Sequence, residues 1–349
     1  MRKYQITEVG ENGNHAGTKA TADIAAVADS LGFERCIIKV DLNGHSAFSK
    51  MRRQIFYCLD YKKALKQIEP GSIVLLQHPF HHKQINREKT LLELKNGKHV
   101  KFICVVHDVE ELREYRDSDY YKKEFETMMT IADVIIVHNA KMLEWFVSKG
   151  FPADKLVNLE IFDYLHTNEY VTPSFERSVS IAGNLDVQKC KYIAGLKDVE
   201  GTTFRLYGPN YDDSLSSVPT IHYEGSFPSN EINSHLTSGF GLVWDGEGIS
   251  GCIGKSGQYL KYNNPHKLSL YLSSGLPVVI WEEAAEVSFV KENGVGLTVR
   301  SLTELGDALN KIDEKCYYSM VERVKSVRER LISGYYARTA IGKAETLIG

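Results

Sequence analysis

No segment of this 349-residue chain approaches the ~20 consecutive apolar residues that a bilayer-spanning helix needs. The opening MRKYQITEVGENGN also lacks the apolar region of a signal peptide. Net charge is nearly missing. A formal balance of −3 gives no bulk attraction to nucleic acid or anionic lipid, so any polyanion site has to be local. Closely spaced cysteine pairs are missing too. Cys36, Cys58, Cys104, Cys190, Cys252 and Cys316 are scattered, which fits reduced thiols and neither a disulfide framework nor a zinc site. There is no G-x-G-x-x-G and no G-K-[ST] P-loop, which disfavours a nicotinamide site or a P-loop nucleotide site. The Asp212-Asp213 pair sits in polar PNYDDSLSS and not at the end of an apolar strand, where carboxylates gripping Mg²⁺ or Mn²⁺ beside a diphosphate would be wanted. What remains is an ordinary globular composition, 43% hydrophobic and 25% charged, in a chain long for a single core. The reading is a cytoplasmic two-domain protein that binds no nucleic acid and whose contact with membranes, if any, is peripheral.

The first half alternates strands and helices. Short apolar runs (IVLL, FICVV, VIIV) at residues 72–77, 102–107 and 134–138 predict buried parallel strands, with further strands at 36–40 and 156–159. Helical patterns fall at 19–31, 51–68, 86–96, 121–131 and 140–149. The 163–177 region is polar, carries Pro173 and lacks periodicity, so it reads as a linker. A second α/β series follows, with strands at 178–182, 203–207, 221–223, 239–243, 277–281 and 296–299 and closing helices at 304–311, 317–332 and 337–347. Two doubly wound α/β domains predict a cleft at the carboxyl ends of both sheets, a layout shared by GT-B glycosyltransferases, two-domain binding proteins and epimerases.

The most informative segment is Ser256 to Trp281, SGQYLKYNNPHKLSLYLSSGLPVVIW. A polar loop with Tyr259, Asn263 and Asn264 runs into Pro265, then His266, Lys267 and Ser269 at the start of an apolar helical pattern. Helix N-termini carry unsatisfied N–H groups and partial positive charge, so a Lys and a Ser there suit a phosphate, here a nucleotide diphosphate. GFGLVWDG predicts a buried strand ending in Asp245 and Gly246; Asp245 can accept from sugar hydroxyls or cap its own loop. In AGNLDVQK, the turn Gly183-Asn184 followed by Lys189 can aim a cation at a diphosphate, or be a plain strand-to-helix turn with a solvated Lys.

In the first half, GENGNHAGTK places Gly10, Gly13 and Gly17 between a first strand and a helix, allowing close backbone approach to a ligand; the alternative is a flexible turn. His107 and Asp108 emerge from FICVV, where either can deprotonate an acceptor hydroxyl or hold a sugar, while Asp108 can equally cap a helical turn. His78, His81 and His82 lack a paired carboxylate, so a solvated loop or acceptor contact is preferred to a metal site.

HDV after a strand, AGNLD, GFGLVWDG and above all YLKYNNPHKLSLYLSSGLPVVIW resemble one bacterial group of GT-B glycosyltransferases. That group contains the β-1,6-galactofuranosyltransferases of surface polysaccharide assembly and the glucosyltransferase 3 of serine-rich-repeat adhesin O-glycosylation. The resemblance runs over nearly the whole chain. It implies a GT-B fold, a UDP-sugar donor, no metal or other cofactor, a homo-oligomer and inversion. In the broader GT-B pattern an Arg and a Lys follow the glycine after the first C-terminal strand; Asn184 stands at the Arg position and Lys189 fits the Lys. The E-x7-E motif of many retaining enzymes is absent near Asp245.

The expected protein is therefore a hexosyltransferase acting on a glycan, lipid-linked saccharide or glycopeptide acceptor. Residues 1–165, joined by a C-terminal helix near 335–349, form an acceptor-binding domain, and 175–334 form the nucleotide-sugar domain. Asp108 or His107 is the expected base or sugar contact. Tyr207, Phe227 and Pro228 are expected to wall a uracil pocket, since a flat base wants aromatic or apolar surroundings. A UDP-sugar epimerase and a non-catalytic sugar-nucleotide-binding subunit are the alternatives.

Overall fold

The chain folds as two units, each built on a parallel sheet, in a computed structural model that describes residues 1–10, 16–40, 46–80, 82–113 and 119–349. The first unit comprises Met1–His138, Met142–Leu159 and Ala337–Gly349. Its strands are β1 (Lys3–Gly10), β2 (Glu34–Val40), β3 (Ile73–His78), β4 (Lys101–Val106), β5 (Ala132–Val137) and β6 (Leu156–Asn158). They lie in the order β2-β1-β3-β4-β5-β6, and every pairing is parallel. The central strands are apolar on both faces because helices cover both, which is why IVLL, FICVV and VIIV are legible as unbroken runs.

One face of this sheet packs Ile6, Val74, Leu76, Cys104 and Ile135 against Tyr57 and Tyr61 of the helix Ala47–Gln67, Leu91 and Leu94 of Arg87–Gly97, and Met128 of Asp119–Ile131. Ser46 starts the first of these helices by accepting from the Ser49 N–H at 3.1 Å. The closing helix Tyr335–Ile348 contributes Ala337 onward to this unit, and Glu345 meets Lys3 at 2.5 Å. Strand order reverses between β1 and β3, and such reversals are where open α/β sheets bind ligands, beyond the strands' carboxyl ends.

The second unit comprises Asn139–Lys141 and Glu160–Tyr336. Its strands are β7 (Ser174–Ala182), β8 (Thr203–Tyr207), β9 (Ile221–Gly225), β10 (Ser238–Val243), β11 (Val278–Trp281) and β12 (Gly296–Val299). The order β12-β11-β10-β7-β8-β9 is the doubly wound arrangement of dinucleotide-binding sheets, all parallel, with its reversal between β7 and β10. Strand β7 starts at Ser174, inside the segment read from sequence as a linker. The rest of that segment is extended but pinned: buried Asp163 accepts from the Tyr336 N–H, and the Tyr164 hydroxyl donates to Ser229 O at 2.8 Å. Polarity there serves these bonds, and a composition-based reading cannot tell a bonded polar segment from a solvated one.

The helix His266–Ser274 lies over β10 because Gly241 has no side chain; a Cβ there would sit 2.1 Å from the Tyr271 ring. The Tyr271 hydroxyl in turn accepts from the Ala182 N–H at 2.7 Å, tying this helix to the end of β7. Gly275, at φ +95°, terminates the helix in the left-handed conformation before Pro277 and β11.

Candidate active site

In the second unit, the reversal between β7 and β10 brings together several residues singled out from sequence. Asp245 and Gly246 follow β10, and Lys267 occupies the first turn of His266–Ser274. The Lys267 ammonium donates to Trp244 O at 2.7 Å and lies 3.6 Å from the Asp245 carboxylate. The other Asp245 oxygen accepts from the Gly246 N–H at 2.7 Å. Gly246 is required twice over: its φ is +101°, and a Cβ would meet Ile253 O at 2.2 Å. Lys189 differs from Lys267 in kind. Its side chain is 69% exposed and 4.0 Å from Asp186, whereas Lys267 is 21% exposed and held in place. The Cys190 thiol is pushed up by burial and then by Asp245, with Lys267, Asp186 and Lys189 also in its field. The turn after β7 and the end of β10 therefore share one neighbourhood.

Gly183 and Asn184 shape that turn. Gly183 adopts φ +138°, and the Asn184 side-chain oxygen accepts from the Asp186 N–H at 3.2 Å and from Asn210 Nδ2 at 2.8 Å. Asn184 thus stabilises its own loop, a task an Arg at this position could not perform. Tyr207, buried at the end of β8, lies 6.5 Å from the Phe227 ring, which stacks on His235 at 3.6 Å. Pro228 opens the next turn, its carbonyl accepting from Glu231 and Ile232.

The NNPHK block divides in two. Asn264 is buried, with Oδ1 accepting from Asn139 at 2.7 Å and Nδ2 donating to Glu160 O at 3.1 Å. Ser269 is buried and donates to Phe162 O at 2.6 Å. Both brace the loop and the helix from behind. Asn263 has a buried side-chain oxygen with no hydrogen-bond partner among the described residues, Tyr259 is buried, and the His266 ring lies 5.3 Å from Tyr164. Asn139 and Tyr271, which fix the block, were invisible in the sequence because their partners lie far along the chain.

In the first unit, Gly17 falls in the helix Ala16–Ser30, while Gly13 and His81 lie outside the described residues. Gln77 at the end of β3 donates through Nε2 to Thr21 O at 3.1 Å and meets His107 Nε2 through Oε1 at 2.6 Å. A carbonyl can only accept, so the Gln77 amide orientation is set and Oε1 must receive the His107 Nε2 proton. The ring is thereby oriented by Gln77 through Nε2. Asp108 instead forms an ion pair with Arg113 at 2.9 Å, and Arg113 also reaches Glu110 at 3.1 Å. His138 is buried and donates to Val106 O, and burial pulls it down to about 3, so it is a neutral structural residue.

A polar cluster unnoticed in the sequence lies beside β1 and β3. Glu8 accepts from Gln84, whose oxygen receives the buried Tyr61 hydroxyl at 2.6 Å. Burial, outweighing Gln84 and Arg87, pushes the Glu8 carboxyl up to about 7. Buried Glu124 goes the other way: burial raises it, but His78 at 3.5 Å, Arg87 and the Phe80 N–H prevail and leave it lowered. Arg87 completes the cluster by donating to the Tyr120 hydroxyl at 2.9 Å. His78 is thereby committed to Glu124. Asp212 is a cap, accepting from the Ser214 N–H at 3.0 Å. Among the described residues there is no group of three or more His, Cys, Asp or Glu side chains that could hold a metal ion.

Comparison with known proteins identifies both halves of the chain. Residues 3–161 match the glucosyltransferase 3-like N-terminal domain, and residues 179–344 match the glucosyltransferase 3-like C-terminal domain. The β-1,6-galactofuranosyltransferase WbbI of Escherichia coli (strain K12) is 34% identical over 247 residues, 69% of this chain and 70% of that protein. Glucosyltransferase 3 of Streptococcus gordonii is 23% identical over 341 residues, 97% of each. Among solved structures, Anabaena Alr3699/HepE in complex with UDP and glucose superposes with a TM-score of 0.60 at 12% identity, over 99% of both chains. Both halves thus carry the domains of one family, and the chain belongs to the glucosyltransferase 3-like family of GT-B glycosyltransferases.

Proposed function

We propose that this enzyme transfers a hexosyl group, glucose or galactofuranose, from a UDP-sugar to a sugar hydroxyl. The acceptor would be a surface polysaccharide or glycoprotein glycan precursor, and transfer would proceed without a metal and with inversion. The observation that carries the donor half is Lys267, held at the carboxyl end of β10 on the first turn of a nine-residue helix. An ammonium and a helix N-terminus at a sheet's reversal point can offset the charge that develops on a departing diphosphate. HepE, which shares this fold, binds UDP, and that supports the nucleotide assignment. Gly183 and Gly246 would allow close backbone approach, Asp245 would accept from sugar hydroxyls, and Tyr207 and Phe227 would flank the base.

The first unit would supply the acceptor site. In an inverting displacement the acceptor oxygen bonds to the anomeric carbon as the bond to UDP breaks, and the acceptor proton passes to a base. His107 suits that role because it follows β4 at the carboxyl edge of the sheet and Gln77 orients its ring through Nε2. Asp108, already paired with Arg113, suits sugar contact better. A second reading has its own observation: Glu8, at about 7, is poised to exchange a proton near neutral pH.

Lys267→Ala should weaken UDP binding by ~1.5–3 kcal/mol, the loss of a charge-assisted hydrogen bond. Unchanged affinity in calorimetry would sink the donor assignment. The pH dependence of kcat/KM in His107→Ala and Glu8→Gln decides between the two bases, since only replacement of the true base removes the acid limb.

A further inference from the structure

We propose that the second unit holds a further small-molecule site, on the sheet edge away from the donor, for a single sugar ring carrying a phosphate or carboxylate group. This goes beyond the donor reading and does not depend on it. A cavity of about 170 Å³ lies at the amino-terminal ends of the parallel strands β7, β10 and β11. Thr237 on its wall precedes β10 and accepts the Ser174 N–H that begins β7. Ser273 and Ser274, also on the wall, close the helix His266–Ser274 ahead of β11. Lys267 and Asp245 stand at the opposite ends of that helix and of β10, so the two sites are separate. A cavity of ~150 Å³ accommodates a six-membered ring, so this one has room for a monosaccharide and not for a nucleoside diphosphate.

The chemistry of the wall selects the ligand. Arg328, on the helix Glu314–Ser333, lines the cavity and is buried. Its guanidinium donates to Asn168 O at 3.0 Å and lies 5.0 Å from the centre of the Tyr170 ring, beside Lys325 at 5.8 Å. Arg35, Arg205 and Arg300 pair with Asp29, Glu176 and Glu282, whereas Arg328 has no ion pair among the described residues. Burial lowers its pKa from the ordinary value, with Tyr170 and Glu329 opposing. A buried cation is costly until an anion joins it, and a guanidinium meets phosphate or carboxylate through two N–H groups. Asn233, 6% exposed, donates through Nδ2 to the Ser273 and Ser274 hydroxyls at 3.1 and 2.9 Å. Both hydroxyls donate to Leu270 O, which sets the amide orientation and leaves Asn233 Oδ1 buried with no hydrogen-bond partner among the described residues. Such an acceptor calls for a donor, and a sugar hydroxyl in the cavity that Asn233 lines can supply one. The exposed Glu169 carboxylate on the wall disfavours a polyanion and accepts from further hydroxyls. His166 shapes the wall, meeting Ser273 O through Nε2 and accepting the Asn168 N–H at Nδ1, each at 3.1 Å.

The test is calorimetry on the full chain saturated with UDP, which occupies the donor site, titrated in turn with glucose 6-phosphate, glucuronate and glucose. One or both anions are expected to bind, with neutral glucose weaker by about tenfold or more for want of a charge-assisted hydrogen bond. The tighter of the two anions tells phosphate from carboxylate. Arg328→Gln should weaken anion binding by about tenfold or more and leave UDP affinity unchanged. Because that change also removes the bond to Asn168 O, amide exchange on the parent protein gives a second reading. The bound anion should slow exchange at residues 166–171 and 233–237. No saturable binding at millimolar concentration, or glucose binding as tightly as the anions, overturns the proposal. So does a folded Arg328→Gln variant of unchanged affinity, or protection confined to Gly183 and Gly246, which would put the anion in the donor site.

Discussion

Individual side chains at the candidate site are set by partners distant in sequence, and their protonation follows from that. Glu286, which shares Asn139 with the Asn264 that braces the NNPHK block, is buried, and its carboxyl is pushed well above the ordinary range by burial, against a hydrogen bond from Asn139. A folded-state carboxyl raised in this way holds a proton that the unfolded chain releases above about 4.5. Its contribution to stability is therefore present at low pH and declines as pH rises through that window. Glu286→Gln should remove the decline: the melting temperatures of variant and parent should converge near pH 5 and separate at pH 8, with the variant higher. Glu8, at about 7, adds a smaller fall of the same sign between about 4.5 and 7. Gly246→Ala tests a different constraint. With φ at +101° and Ile253 O in the way, it should cost about 2 kcal/mol or more of stability and reduce UDP affinity. Of these residues Gly246 was legible from GFGLVWDG, because a glycine after a buried strand signals a turn. Glu8 was not, since a Glu at a strand end looks solvated until Gln84, Arg87 and Glu124 are folded around it.

Among elements, the helix His266–Ser274 is decisive, and its position over β10 depends on one missing side chain. Gly241→Ala would drive a Cβ into the Tyr271 ring, so the helix must shift or tilt. Loss of stability of about 1–3 kcal/mol and weaker UDP binding are expected together, and calorimetry with thermal denaturation reads both. Tyr271→Phe keeps the packing but strands the Ala182 N–H, at a cost of about 1–3 kcal/mol. The strands were legible as apolar runs because helices on both faces leave no polar side. The early part of β7 was not, because Ser174–Arg177 is polar and its pairing with β10 carries a register shift between Ser238 and Phe240. Within the NNPHK block, spacing showed a helix start but could not tell Lys267, aimed at the strand end, from Asn264 and Ser269, which brace from behind.

At the scale of the whole molecule, the two units have separate parallel sheets, and the proposed function gives the donor to the second. If the second unit alone holds the donor, UDP should slow amide exchange at Gly183, Gly246 and the first turn of His266–Ser274 while leaving β3 and β4 of the first unit unchanged. Exchange measured by mass spectrometry checks this, and equal protection of both units would contradict it. Family membership favours the transferase over the epimerase and binding-subunit alternatives. The relatives also show why the sugar stays separate from the fold: a galactofuranosyltransferase and a glucosyltransferase share this family.

The amino-acid sequence by itself determined the two α/β series, the absence of a membrane-spanning run, and the glycine- and proline-marked turns that set up a phosphate-ready helix start. Each is a local property, fixed by side-chain polarity at a period of two or 3.6 or by the backbone freedom of one residue. Only tertiary structure decided which lysine is held and which is solvated, and that Gln77 orients the His107 ring. Only tertiary structure raised Glu8 and Glu286, and only it buried Arg328 beside a cavity. Those outcomes depend on burial and on hydrogen bonds between residues tens of positions apart, and no local pattern in the chain records either.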